Sequence, residues 1–128
     1  MKHTIILAST GIVMGLLSSF VGLPTLVEYS LWIGFYVLWV VYGVRFKIEM
    51  PVRRMAFAST LSGLFTGSIQ VLFMEQYRAN NPWHSEVFET STAQELSTSF
   101  LGQGIAMGIV FGVMVGLIVR WRQKQEAS

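Results

Sequence analysis

Leu96–Val119 reads LSTSFLGQGIAMGIVFGVMVGLIV, 24 residues without an Asp, Glu, Lys or Arg. Crossing about 30 Å of hydrocarbon at 1.5 Å per residue takes roughly 20 helical residues. A run this long and this continuous is a membrane span, and helix is the form that satisfies its own backbone in lipid. Three more charge-free windows precede it, at 3–27, 29–44 and 55–74, of 25, 16 and 20 residues. The shortest must recruit Glu28 and Arg45 at its rims, where headgroups and water solvate them. Spans are expected near 4–22, 26–45, 55–75 and 98–120. Pro24, Pro51 and Pro82 all fall outside or at the edges of these ranges, as residues lacking a helical donor should.

Composition agrees. Hydrophobic residues make up 52% of the 128 and charged ones 12%, with mean hydropathy +0.54. A soluble domain carries about 25% charged residues, and a chain this short cannot bury so much apolar surface in one core. A soluble globular enzyme is therefore not expected. The absence of Cys removes disulfides, thiol catalysis, Cys-ligated zinc and iron–sulfur clusters. A net charge of +2 is too slight to suggest nucleic acid as a partner.

The cations set the orientation. Lys2, Arg45, Lys47, Arg53, Arg54, Arg120, Arg122 and Lys124 fall on one side of the four spans and only Arg78 on the other. Five of the seven acids (Glu28, Glu75, Glu86, Glu89 and Glu95) share the side with Arg78. The positive-inside rule then puts both termini in the cytoplasm, and the small size and style of the chain point to a bacterial inner membrane. Tyr29, Trp32, Tyr42 and Trp121 would sit at the two interfaces. A signal-peptide reading of Lys2 and Ile5–Leu17 is set aside, because Ser18–Gly22 makes a poor cleavage site.

Two segments lie outside the spans. The basic loop 46–53 is a topology signal that could also attract anionic headgroups. In the outer loop, 76–95, Asn81-Pro82 reads as a helix cap before a short interfacial helix, Trp83–Glu89, with Trp83, Val87 and Phe88 towards the membrane. Thr92-Ala93-Gln94-Glu95 has capping-box spacing, which would start the last helix before the bilayer and make it the longest.

Glycine carries the sharpest pattern. Gly104, Gly108, Gly112 and Gly116 recur at every fourth position, forming a groove into which a neighbouring backbone can fit. Gly11 and Gly15 in span 1, and Ser59, Gly63 and Gly67 in span 3, repeat the device, whereas span 2 is bulky and aromatic. Spans 1, 3 and 4 are thus expected to pack closely, with much of span 2 outside. Ser59, Ser62, Thr66 and Gln70 form a polar stripe on span 3. Gln103, Ser18 and Glu28 reach a similar depth, which suggests a shallow outward-facing polar pocket and a Gln70–Gln103 hydrogen bond.

Catalytic chemistry is not visible. His84 with Glu86 and Glu89 lacks the grouped His ligands of a catalytic metal site, and the Met residues are scattered. No nucleotide loop, nucleophile–base pair or mid-span acid is present. No catalytic, cofactor-binding or metal-binding residue is assigned. In outline the chain resembles a family of small bacterial four-span membrane proteins with a domain of unknown function. The residues behind this are Ser30-Leu31-Trp32-Ile33-Gly34-Phe35, the aromatic run leading to Asn81-Pro82, and the Gly-rich last span with its basic tail. That resemblance implies no activity and no site residue.

The expectation is one all-α domain over residues 1–128, an up-down-up-down four-helix membrane bundle. Its partners would be membrane lipids and either copies of itself or another membrane protein. Its role would be that of a non-enzymatic subunit packing through its small-residue faces. The alternative is a small oligomeric channel or carrier built on the span-3 stripe.

Overall fold

A computed structural model describes all 128 residues and contains helices and turns without a strand. Four helices are long and apolar enough to cross a membrane: α1 (Lys2–Phe20), α2 (Thr25–Arg45), α3 (Pro51–Leu72) and α6 (Ala93–Ala127). The chain is thus suited to a multi-pass membrane protein. Between α3 and α6 lie α4 (Met74–Asn80), a 3-10 turn at Pro82–His84 and α5 (Ser85–Thr90). The third span stops at Leu72, three residues short of the expected end at 75, because Phe73 leaves helical geometry (φ −112°, ψ 40°). The chain turns there and starts α4.

α3 is the central helix. On one side it meets α6 in an antiparallel seam where backbone lies on backbone: Gly63 faces Gly104, Ser59 faces Gly108 and Ala56 faces Gly112. A Cβ on Gly108 would come 2.6 Å from the Ser59 carbonyl oxygen, and one on Gly112 would come 2.6 Å from the Ala56 Cα. On its other side α3 runs parallel to α1, with Gly11 against the Ser62 backbone and Gly15 against the Ile69 side chain. Without a hydrophobic driving force between helices in lipid, such close approach, with its dispersion and Cα–H contacts, holds the bundle together.

α2 packs into the bundle core in its second half only. Its buried residues are Trp39 and Gly43, both in its second half. Trp39 belongs to a cluster with Leu7, Ile48, Met55, Ala58, Val115 and Val119 at the end of the bundle where the basic residues gather. The α2–α3 turn there follows the Schellman pattern, Lys47 N–H donating to Val44 O and Ile48 N–H to Gly43 O. Lys47 takes the left-handed conformation usually given to glycine (φ 47°). The Gln123 side chain then donates from α6 to both Gly43 O and Ile48 O, at 3.2 Å each.

At the opposite end the first turn is equally well tied. Gly22 (φ +83°) donates to Leu17 O and lets the chain reverse before Pro24. Asn80, the last residue of α4, and Asn81 just after it reach across to cap α1 as well as their own helix end: Asn80 Nδ2 donates to Ser19 O and Gln76 O, and Asn81 Nδ2 to Ser18 O and Tyr77 O. The Ser18 and Ser19 carbonyls belong to the last turn of α1, where no intrahelical donor remains. The expected cap role of Asn81 for the following helix is not found, because both ends of its amide are engaged elsewhere. The Thr92–Glu95 capping box does form, and α6 is the longest helix at 35 residues.

Candidate functional site

Because α2 is held only near Tyr36, Trp39 and Gly43, its first half stands off the α3–α6 seam. The gap is a crevice of about 670 Å³. Its floor is the glycine-lined seam (Gly63, Gly67, Gly104 and Gly108), and its roof is the aromatic side of α2. Tyr29, Trp32 and Tyr36 share that side at i, i+3 and i+7, the spacing that puts residues on one helix face. Tyr36 closes the inner end by stacking on Phe111 (5.5 Å, 17°), and its hydroxyl lies 3.1 Å from Ser59 Oγ.

The other end is closed by α4 and α5. Tyr77 packs edge-on to Phe88 (5.8 Å) and Phe100 (5.1 Å), and these rings with Leu96 form a second small core. His84 stacks on Tyr77 (6.4 Å, 7°). Phe88 is therefore turned inwards and 5% exposed, not towards the membrane; Trp83 and Val87 are the exposed apolar residues of that segment. Burial pushes the Tyr77 phenol up to about 12, with the nearby Glu28 carboxylate adding to the push. At neutral pH it is a hydroxyl, able to donate a hydrogen bond.

Four of the six residues expected to form a polar pocket line this crevice: Glu28, Thr66, Gln70 and Gln103. Ser18 and Ser62 do not, because they lie in the α1–α3 seam on the far side of α3. There the Gln70 side chain donates to Ser18 Oγ (3.0 Å), which donates onward to Gly15 O (3.1 Å). The expected Gln70–Gln103 bond is absent: Gln70 turns to Ser18, and Gln103 is exposed on α6 with no hydrogen bond in the chain. Ser62 lies 3.4 Å from the Thr10 hydroxyl, and the Thr66 hydroxyl is shared between Gly11 O and Ser62 O at 2.9 Å each. The span-3 stripe is thus divided between two sides of its helix, and most of its donors are taken within the chain.

No family model, curated protein or solved structure matches this chain. The reading of the crevice therefore rests on its own geometry. Its polar groups at one end are a carboxylate, an imidazole, two amides and hydroxyls, set against aromatic and aliphatic walls. That is the make-up of a site that binds and orients a small amphiphile: mostly apolar surface with few polar groups to fix direction.

Sequence reasoning missed Tyr77, His84, Phe88, Phe100 and Phe111 as parts of one site. The only signal for them was the aromatic spacing along α2. That spacing alone does not say which side of α2 faces its neighbours, because only the second half of the helix is buried.

Proposed function

We propose that this is a non-enzymatic membrane protein that binds an amphiphilic small molecule in the crevice between α2 and the α3–α6 pair. It is oriented up-down-up-down in a bacterial inner membrane with both termini cytoplasmic. The observation that carries the reading is the cavity itself, about 670 Å³ with apolar walls and one polar end. That volume lies within the roughly 300–1,000 Å³ of known small-molecule sites. The cation asymmetry supports the orientation, which puts the polar end of the crevice in the outer leaflet.

A single-chain amphiphile bearing a doxyl quencher tests it, in protein whose only tryptophan is Trp32 (Trp39, Trp83 and Trp121 changed to Phe). Quenching of Trp32 should saturate. Gln103→Phe, which fills the crevice without removing an internal hydrogen bond, should abolish the saturable part. Quenching that rises linearly with probe and ignores Gln103→Phe would discard the reading.

Assembly with copies of itself or another membrane protein is the second reading, but it needs a different surface from the one the glycine series suggests. Gly11, Gly15, Gly63, Gly67, Gly104, Gly108, Gly112 and Gly116 each abut another part of this same chain. What favours assembly is the outward side of α2, where Val37, Leu38 and Val41 are all more than half exposed and a Cβ on Gly34 would meet no atom within 4 Å. On this reading Val37→Cys, the sole thiol in a chain without Cys, gives a disulfide-linked dimer in native-like lipid. Monomers alone would remove it.

A further inference from the structure

The charges around the crevice are one-sided. Of the seven acids and nine cations in the chain, Glu28 lines it and no Lys or Arg does. Glu28 sits in the first turn of α2, where the helix dipole favours a carboxylate. That explains why an acid is tolerated there, but it supplies no countercharge. The side chain makes no hydrogen bond or ion pair within the chain and is half-buried. Arg78, the only cation at this end, stays exposed with its guanidinium 5.7 Å from the Phe88 ring centre and outside the lining. The remaining titratable groups of the lining are His84, Tyr29, Tyr36 and Tyr77. None brings the fixed positive charge that a phosphate or carboxylate ligand would need.

The walls select in the same direction. Tyr29, Trp32 and Tyr77 present ring surfaces near Glu28's end, and aromatic faces attract cations through their quadrupole, most strongly where water is excluded. Towards the inner end, Met107 and Phe111 offer only apolar surface. A charged head with an unpartnered carboxylate beside it, followed by an apolar body, fits this sequence of groups. A zwitterionic phospholipid would set its phosphate against Glu28 without a basic residue to hold it.

We propose, building on the binding role given above, that the occupant is a monovalent organic cation with an apolar body, of the alkylammonium type. Its head lies between Glu28 and the surrounding rings, and its body extends towards Phe111. The Glu28 carboxylate is the selectivity group, and the crevice walls supply most of the contact.

The test uses the full chain in maltoside micelles and four doxyl-labelled probes of equal chain length. Their heads are trimethylammonium, its neutral tert-butyl isostere, sulfonate and phosphocholine. Trimethylammonium should bind tighter than the tert-butyl probe by roughly tenfold, the size of one desolvated cation contact. The sulfonate and phosphocholine probes should be weaker still. Glu28→Gln should bring the cation-to-neutral ratio close to one, and Glu28→Asp should restore most of it. Equal binding of the cation and its isostere, phosphocholine binding tighter than trimethylammonium, or a ratio unmoved by Glu28→Gln would each overturn the assignment. Failure of all four probes to saturate Trp32 quenching would instead defeat the binding role itself.

Discussion

Gly63→Ala should be among the most damaging single-methyl changes in this protein. The added Cβ would lie well inside van der Waals contact of the Gly104 carbonyl oxygen, and the obstruction is backbone on both sides. Overpacking a core usually costs about 1–3 kcal/mol because side chains can shift. Here no rotamer can yield, so α3 and α6 must separate and the remaining close contacts of the seam weaken with them. We expect a loss of about 3 kcal/mol or more, seen as a large fall in the thermal midpoint in detergent and early aggregation on size-exclusion chromatography. Gly102→Ala is the control. It lies two residues before Gly104, on the open side of α6, where a Cβ meets nothing within 4 Å, and it should change stability by less than about 1 kcal/mol, towards a gain in helix propensity. Equal effects from the two would mean that the seam is not as tight as described.

The second large effect is expected at Asn81, 1% exposed and saturated with partners. Its Oδ1 accepts from Leu23 N–H (3.1 Å), while Nδ2 donates to Ser18 O and Tyr77 O (2.7 Å each). One amide thereby joins the end of α1, the turn before α2 and the end of α4. Asn81→Ala strands a buried donor and leaves two carbonyls short. An unsatisfied buried group costs about 1–3 kcal/mol, so a total near 3 kcal/mol is expected. Asn81→Asp should be no better at neutral pH: it keeps the acceptor for Leu23 but turns a carboxylate oxygen towards two carbonyls. Asn80→Ala, whose bonds to Ser19 O and Gln76 O are less buried, should cost visibly less. Thermal unfolding of the three variants in one detergent ranks them, and a harmless Asn81→Ala would refute the account.

The spans could be read from the chain because lipid imposes one condition on every residue between the rims. A missing charge over 20 or more positions, as in 55–74 or 96–119, has few other meanings. The glycine series was legible for a related reason, since a period of four has one geometric consequence on a helix. What the chain did not disclose was the rotation of each helix about its axis. Gln70 could have faced Gln103 or Ser18. The choice follows from where the Gly63–Gly104 and Gly11–Ser62 approaches lock the phase of α3. Asn81 shows a different ambiguity. An Asn before Pro has the signature of a local cap, and the same amide can serve a helix sixty residues earlier in the chain. Phe88 was misdirected because a short amphipathic segment at an interface has two apolar neighbours to choose from, the membrane and the Tyr77 ring. The crevice was legible only in fragments: its polar members Glu28, Thr66, Gln70 and Gln103 were picked out, but its aromatic walls were not.

The seam between α3 and α6 consists largely of main-chain atoms, which have no alternative rotamers to exchange. The two helices therefore behave as one stiff strut, and α1 is keyed to the strut through Gly11 and Gly15. α2 meets the strut only near Tyr36, Trp39 and Gly43, and its other end is anchored where Asn81 receives the Leu23 N–H. The gap is therefore spanned as an arch is, by an element seated at both abutments.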